Sequence, residues 1–134
     1  LYQKSKEKDN LYYKAHINAG HAKLNQARES NSAEKKDSLA NLAENLYQES
    51  AMLTENKTEK SESYYNEGNA QLFSNKLEEA IESYKRSLRL EPTNNSAKYN
   101  FFCCIVDFDL IVKLFIYYFH YFFCFNIIPT SYII

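Results

Sequence analysis

The chain has 134 residues, with 16 lysines and arginines against 17 aspartates and glutamates, for a formal net charge of −1. That length holds one small domain, and the balanced charge argues against a nucleic-acid partner, which needs a net basic face. The averages conceal a division near Asn100: residues 1–100 carry both glycines and 15 of the 17 acidic groups, while residues 101–134 carry all three cysteines and eight of the nine phenylalanines.

The chain starts at Leu1 and its sole methionine is Met52, which reads as a fragment or a processed product. Residues 1–9 are polar and lysine-rich, without the apolar run of a signal peptide, and read as a disordered lead-in. Residues 10–60 read as an irregular helix pair. The first helix covers Asn10 to Ala27, with Leu11, Ile17 and Leu24 near one face and Gly20 in its middle. His16 and His21 are five apart and do not share a helical face, so no metal site is expected from them. Arg28 to Lys36 reads as a loop. Asp37 then offers an N-cap for a second helix whose Leu39, Leu42, Ala43, Leu46, Tyr47, Ser50 and Leu53 fall at spacings of three and four. Thr54 to Lys60 reads as a polar connector.

Residues 61–95 read as a compact helix–turn–helix unit. Its first helix is expected from Glu62 to Phe73 and its second from Leu77 to Leu90, with Asn75 and Glu78 in a capping-box spacing between them. The second helix carries the stripe Leu77, Ala80, Ile81, Tyr84 and Leu88. Glu78, Glu79 and Glu82 lie toward its start, and Lys85, Arg86 and Arg89 toward its end, which suits the helix dipole. Pro92 stops it and Thr93, Asn94 and Asn95 turn the chain. Residues 96–100 read as the start of a further helix.

The two units echo each other. Ala43, Tyr47, Ser50 and Leu53 align without a gap on Ala80, Tyr84, Ser87 and Leu90, and NAGHAKL at 18–24 echoes NEGNAQL at 66–72. Helix pairs repeated at this length mark an α-solenoid. The stretch 61–100 resembles the tetratricopeptide repeat family. Tyr64 stands at the family's tryptophan, Gly68 at its small residue in the first helix, Ala80 and Tyr84 at its A-x3-F pair, and Pro92 at its closing proline. With Ser87, these are the expected repeat-packing residues. Glu67 and Gln71 depart from the pattern, where the family has leucine and tyrosine. Gly20 and Ala43 are separated by 23 residues against 12 from Gly68 to Ala80, which predicts either an eleven-residue insertion between the helices of the first unit or a different pairing of its helices.

The resemblance implies an all-α fold of antiparallel helix–turn–helix repeats, a helical solenoid fragment followed by an apolar tail. It also implies protein or peptide binding on a concave face made by the first helix of each unit. That face is expected to include Glu62, Tyr65, Asn69, Leu72, Phe73 and Asn100. Asn69 and Asn100 match the two asparagines of chaperone-binding repeats that clamp a terminal carboxylate, but Tyr65 stands where the clamp has lysine. The stretch is also similar to repeats of the bacterial aerotolerance (Bat) type, which implies assembly of an envelope complex. No pair of residues suggests acid–base or nucleophilic catalysis, and no catalytic residue or cofactor is expected. Two imperfect units suggest missing repeats, an oligomer or marginal folding.

Residues 101–134 form an apolar tail. Leu110 to Ile128 is long enough for a membrane span, with Lys113, His120 and Asn126 inside it. The alternatives are aberrant translation of non-coding sequence and a buried core segment. Localisation follows that choice: at a membrane if the tail spans one, otherwise soluble in cytoplasm or periplasm. Cys103, Cys104 and Cys124 lack the spacing of a zinc site or a disulfide framework.

Overall fold

The computed structural model describes residues 2–127, with side chains described over 10–107 and 109–119. Five helices follow one another there: α1 (Tyr2–Glu29), α2 (Ala33–Met52), α3 (Lys57–Phe73), α4 (Leu77–Leu90) and α5 (Asn95–Ile127). Consecutive helices pack antiparallel, α1 on α2, α2 on α3, α3 on α4 and α4 on α5.

The first hairpin has no inserted loop. Three residues, Ser30 to Ser32, join α1 to α2, as Ser74 to Lys76 join α3 to α4. The eleven extra residues are helical: Gly20 lies nine residues before the end of α1 and Ala43 ten after the start of α2, against five and three in the second hairpin. The additions of four and seven residues are close to one and two whole turns. Each helix therefore lengthens without rotating its packed face. Ser32, not Asp37, caps α2, accepting from the Lys35 amide. The lead-in is helical from Tyr2, since its lysines and glutamate favour a helix once the packed turns downstream nucleate it.

Two other boundaries differ from the sequence reading. Asn56 caps α3 through the amides of Thr58 and Glu59, which takes a turn of helix from the expected connector. Asn75 does not cap α4. It holds φ 58°, while Lys76 N–H bonds Gln71 O at 2.9 Å and Asn75 N–H bonds Leu72 O at 3.1 Å. That is a Schellman ending of α3, and asparagine tolerates the left-handed conformation it demands. Asn94 caps α5, accepting from the Ala97 amide.

The core is two linked clusters. Tyr13, Ile17 and Leu24 of α1 meet Ala40, Ala43 and Tyr47 of α2 and Ala70 of α3, with Leu53 and Phe73 at the edge. Leu11 is not among them and is 70% exposed, because the buried stripe runs Tyr13, Ile17, Gly20, Leu24, Ala27 at helical spacing and Leu11 falls behind it. Ala80, Tyr84 and Cys104 form the second cluster, flanked by Tyr65, Leu72, Leu77, Ile81 and Phe101.

The change of composition at residue 100 does not interrupt the helix. Asn95 begins one continuous helix, and Phe101 and Cys104 belong to the repeat core, with Cys104 1% exposed. Beyond Cys104 the described residues of α5 are exposed through Phe119. No helix among the described residues is long and apolar enough to cross a membrane. The span expected over 110–128 is thus not supported, and Ile128 to Ile134 lie outside the described residues.

Candidate functional site

α3 is the middle of three helices that share one face of the molecule. On one side it meets α1, where the Tyr13 hydroxyl donates to Glu62 Oε2 at 2.9 Å and to the Glu59 carbonyl at 3.2 Å. On the other it meets α5, where Asn100 Nδ2 donates to Asn69 Oδ1 at 2.9 Å. The helix period sorts the expected site residues onto this face. Glu62 and Phe73 turn toward α1, Phe73 packing at the edge of the first cluster. Tyr65 and Leu72 turn toward α5, packing at the edge of the second. Asn69 stands between, and Asn100 completes the set from α5. Glu62 is exposed, and the other five are partly exposed.

Tyr84 reaches this face from behind. Its ring is buried, 6.1 Å from the Tyr65 ring, and its hydroxyl donates to Asn69 Oδ1 at 2.9 Å. Burial raises the Tyr84 hydroxyl well above the ordinary tyrosine range, opposed by the Asn100 bond, so it remains a neutral donor. Asn69 Oδ1 thus accepts from two groups. Turning that amide over would set its NH₂ against the NH₂ of Asn100. Among the described residues, neither Asn69 Nδ2 nor the Asn100 side-chain oxygen takes part in these bonds. The pair presents one donor and one acceptor, the complement of a peptide main chain.

The repeat-packing residues hold this arrangement up. An added Cβ on Gly68 would sit 2.7 Å from Cε1 of Tyr84, so only glycine lets the two helices cross there. Ala80 is wholly buried beside it. Ser87 and Ser61 meet at 2.9 Å across the same interface. Arg86 lies 4.6 Å above the Tyr64 ring. Pro92 is exposed in the turn after α4.

The two departures from the family pattern form one cluster behind the site. Glu67 is 1% exposed, and its Oε1 accepts from Gln48 at 2.9 Å, Arg86 at 3.0 Å and Gln71 at 3.3 Å. Gln71 donates onward to Glu44 at 2.9 Å and accepts from Ser83 at 2.7 Å, and Lys76 bonds Glu44 at 2.7 Å. This network joins α2, α3 and α4. Its partners in α2 were not legible beforehand, although two polar residues at apolar positions four apart were a signal that something polar faced them.

His16 and His21 stand apart: His16 lies between the Tyr12 carbonyl at 2.8 Å and Glu49 at 3.3 Å, and His21 is tilted against the Tyr47 ring. Among the described residues no group of three His, Cys, Asp or Glu is placed to hold a metal ion.

Comparison with known proteins bears on the middle of the chain. No curated protein matches it. Residues 61–94 match the family model of the tetratricopeptide repeat, a module that suggests a protein–protein interaction scaffold, and the match does not reach the Bat-type subgroup. The segment that builds most of α3, all of α4 and the turn after it is therefore similar to a tetratricopeptide repeat.

Proposed function

We propose that the chain is a non-catalytic scaffold that holds an extended peptide segment of a partner protein on the face shared by α1, α3 and α5. The observation that carries this is the Asn69–Asn100 pair. The bond between them engages Asn69 Oδ1 and Asn100 Nδ2, which leaves the Asn69 NH₂ as a donor and the Asn100 oxygen as an acceptor for a ligand, on a face where Tyr65 and Leu72 add partly exposed apolar surface. A peptide main chain offers the matching carbonyl and N–H, and an extended segment presents them to one face at every second residue. With Tyr65 in place of a lysine, this face favours internal peptide over a terminal carboxylate. Glu62 is already bonded to Tyr13, so it acts in placing α1 against α3.

The test is a double substitution, Tyr65→Ala with Asn69→Ala. Pull-down recovery of bound partner is expected to fall while the helical circular-dichroism signal stays. Unchanged recovery moves the site off this face.

A further inference from the structure

We infer that Tyr84 is a positioning residue of this face, acting through Asn69, and that only the second of the two equivalent tyrosines does so. The inference rests on the binding reading above. Tyr47 and Tyr84 occupy the same place in the two hairpins, each with its ring against a glycine of the preceding helix, Gly20 and Gly68. Both rings are fully buried. Their hydroxyls differ. The Tyr84 hydroxyl donates to Asn69 Oδ1 at 2.9 Å and lies 3.5 Å from Asn100 Nδ2. The Tyr47 hydroxyl has no hydrogen-bond partner among the described residues. The position that corresponds to Asn69 holds His21, whose ring is tilted 5.6 Å from that of Tyr47.

The two tyrosines thus separate two roles that one residue combines. Packing over glycine needs only the ring, as Tyr47 demonstrates. Fixing the rotamer of an asparagine needs the hydroxyl. An unrestrained asparagine side chain loses rotamer freedom when it binds, and ordering a side chain on binding costs about 0.5–1.5 kcal/mol. Two donors converging on Asn69 Oδ1 meet that cost in advance and leave Nδ2 aimed at incoming peptide. The preorganised junction lies between α3 and α5, and the α1–α3 junction lacks it. Peptide main chain is therefore read at one register along this face, and side-chain contacts must set the rest.

The experiment uses the full chain and a blocked-end synthetic peptide selected on it from a random library. Four proteins are compared: wild type, Tyr84→Phe, Tyr47→Phe and Asn69→Ala. Peptide affinity is read by calorimetry, and order of the Asn69 side-chain NH₂ by ¹⁵N relaxation without peptide. Tyr84→Phe is expected to weaken the peptide about tenfold, the scale of one neutral hydrogen bond, and to loosen the Asn69 amide. Tyr47→Phe, with the same loss of one oxygen, is expected to leave both readouts at wild-type values. Melting curves restrict the comparison to temperatures where each variant is folded. Asn69→Ala weakening the peptide while Tyr84→Phe leaves affinity and amide order unchanged overturns the positioning role alone. Asn69→Ala binding like wild type overturns the groove reading and this inference together.

Discussion

Tyr84 lies over Gly68 so closely that a single added methyl on the glycine would come within 2.7 Å of its ring, and Tyr47 closes on Gly20 more tightly still, at 2.5 Å. The two hairpins of unequal length share this one crossing, so the crossing rather than the hairpin length defines the repeat.

Gly68→Ala sets two effects against each other. Alanine gains about 1 kcal/mol of helix propensity over glycine, while overpacking a filled crossing costs about 1–3 kcal/mol. The atoms met belong to a fully buried ring rather than to the free end of a flexible side chain. A net loss of up to about 2 kcal/mol is expected in urea unfolding, and Gly20→Ala is expected to share its sign. A rise in the urea midpoint for either variant would mean the ring yields without cost.

Glu67→Leu restores the residue that the repeat family uses at this position and is nonetheless expected to destabilise the fold. It strips the shared acceptor from Gln48, Gln71 and Arg86. Arg86 is partly solvated, with 36% of its side chain exposed, so the loss is set at about 1–3 kcal/mol rather than at the cost of a fully buried orphaned charge. Glu67→Leu with Arg86→Met is expected to recover part of that loss. A double-mutant cycle measures the coupling, and strict additivity would dissolve the network as an energetic unit.

Alkaline pH is expected to weaken the fold. Burial raises the hydroxyls of Tyr13, Tyr47 and Tyr84 above their ordinary range, with Glu62 adding to the effect at Tyr13. An unfolded tyrosine ionises near pH ~10. The contribution of the three neutral phenols is therefore fully present below about pH 10. It is lost as pH rises further, because the unfolded chain then sheds protons that the native chain retains. Urea midpoints between about pH 8 and about pH 11 should hold and then fall, with a shallower fall in Tyr47→Phe. A midpoint independent of pH across that range would show that the hydroxyls reach water.

Cys104 reports on whether α5 is part of the domain. It is buried against Ala80 and Tyr84, and burial, with Asp107 and Cys103 adding to it, raises its thiol above the ordinary range. Cys103, one residue earlier, is partly exposed. Iodoacetamide should label Cys103 in the native protein and Cys104 only as α5 opens, with the two sites separated by peptide mass spectrometry. Equal labelling would detach α5 from α4. Phe101→Ala, which removes a flanking ring from the same cluster, is expected to cost about 1–3 kcal/mol, below the range for a fully buried phenylalanine.

Much of the fold was readable because a helix buries a stripe with a fixed period. The spacing of Ala80, Tyr84 and Ser87, and its echo at Ala43, Tyr47 and Ser50, marked the packed faces, and all six are buried in the structure. Helix ends were less readable. Asp37 and Asn75 carry the side chains that cap helices, but capping is a local preference of about 1 kcal/mol, and the longer α1 and α2 and the Schellman ending of α3 overrode it. The start of the tail was less readable for a related reason. Composition changes at residue 100, yet Phe101 and Cys104 sit on the same helical stripe as Ala97, Cys104 buried and Phe101 partly buried against the repeat core, which composition cannot show.

For the candidate site, the resemblance of the sequence to the repeat family implied which residues share one face of α3: Glu62, Tyr65, Asn69, Leu72 and Phe73. Tertiary structure decided what they do there. Glu62 is tied to Tyr13 from 49 positions away, and Asn69 is held by Tyr84 and by Asn100, which is 31 positions away. Those partners come from other helices, and their distance and direction depend on how closely the helices cross. The crossing distance is set where Gly20 and Gly68 meet their tyrosines, and the direction of the Asn69 amide by which neighbour can donate to it.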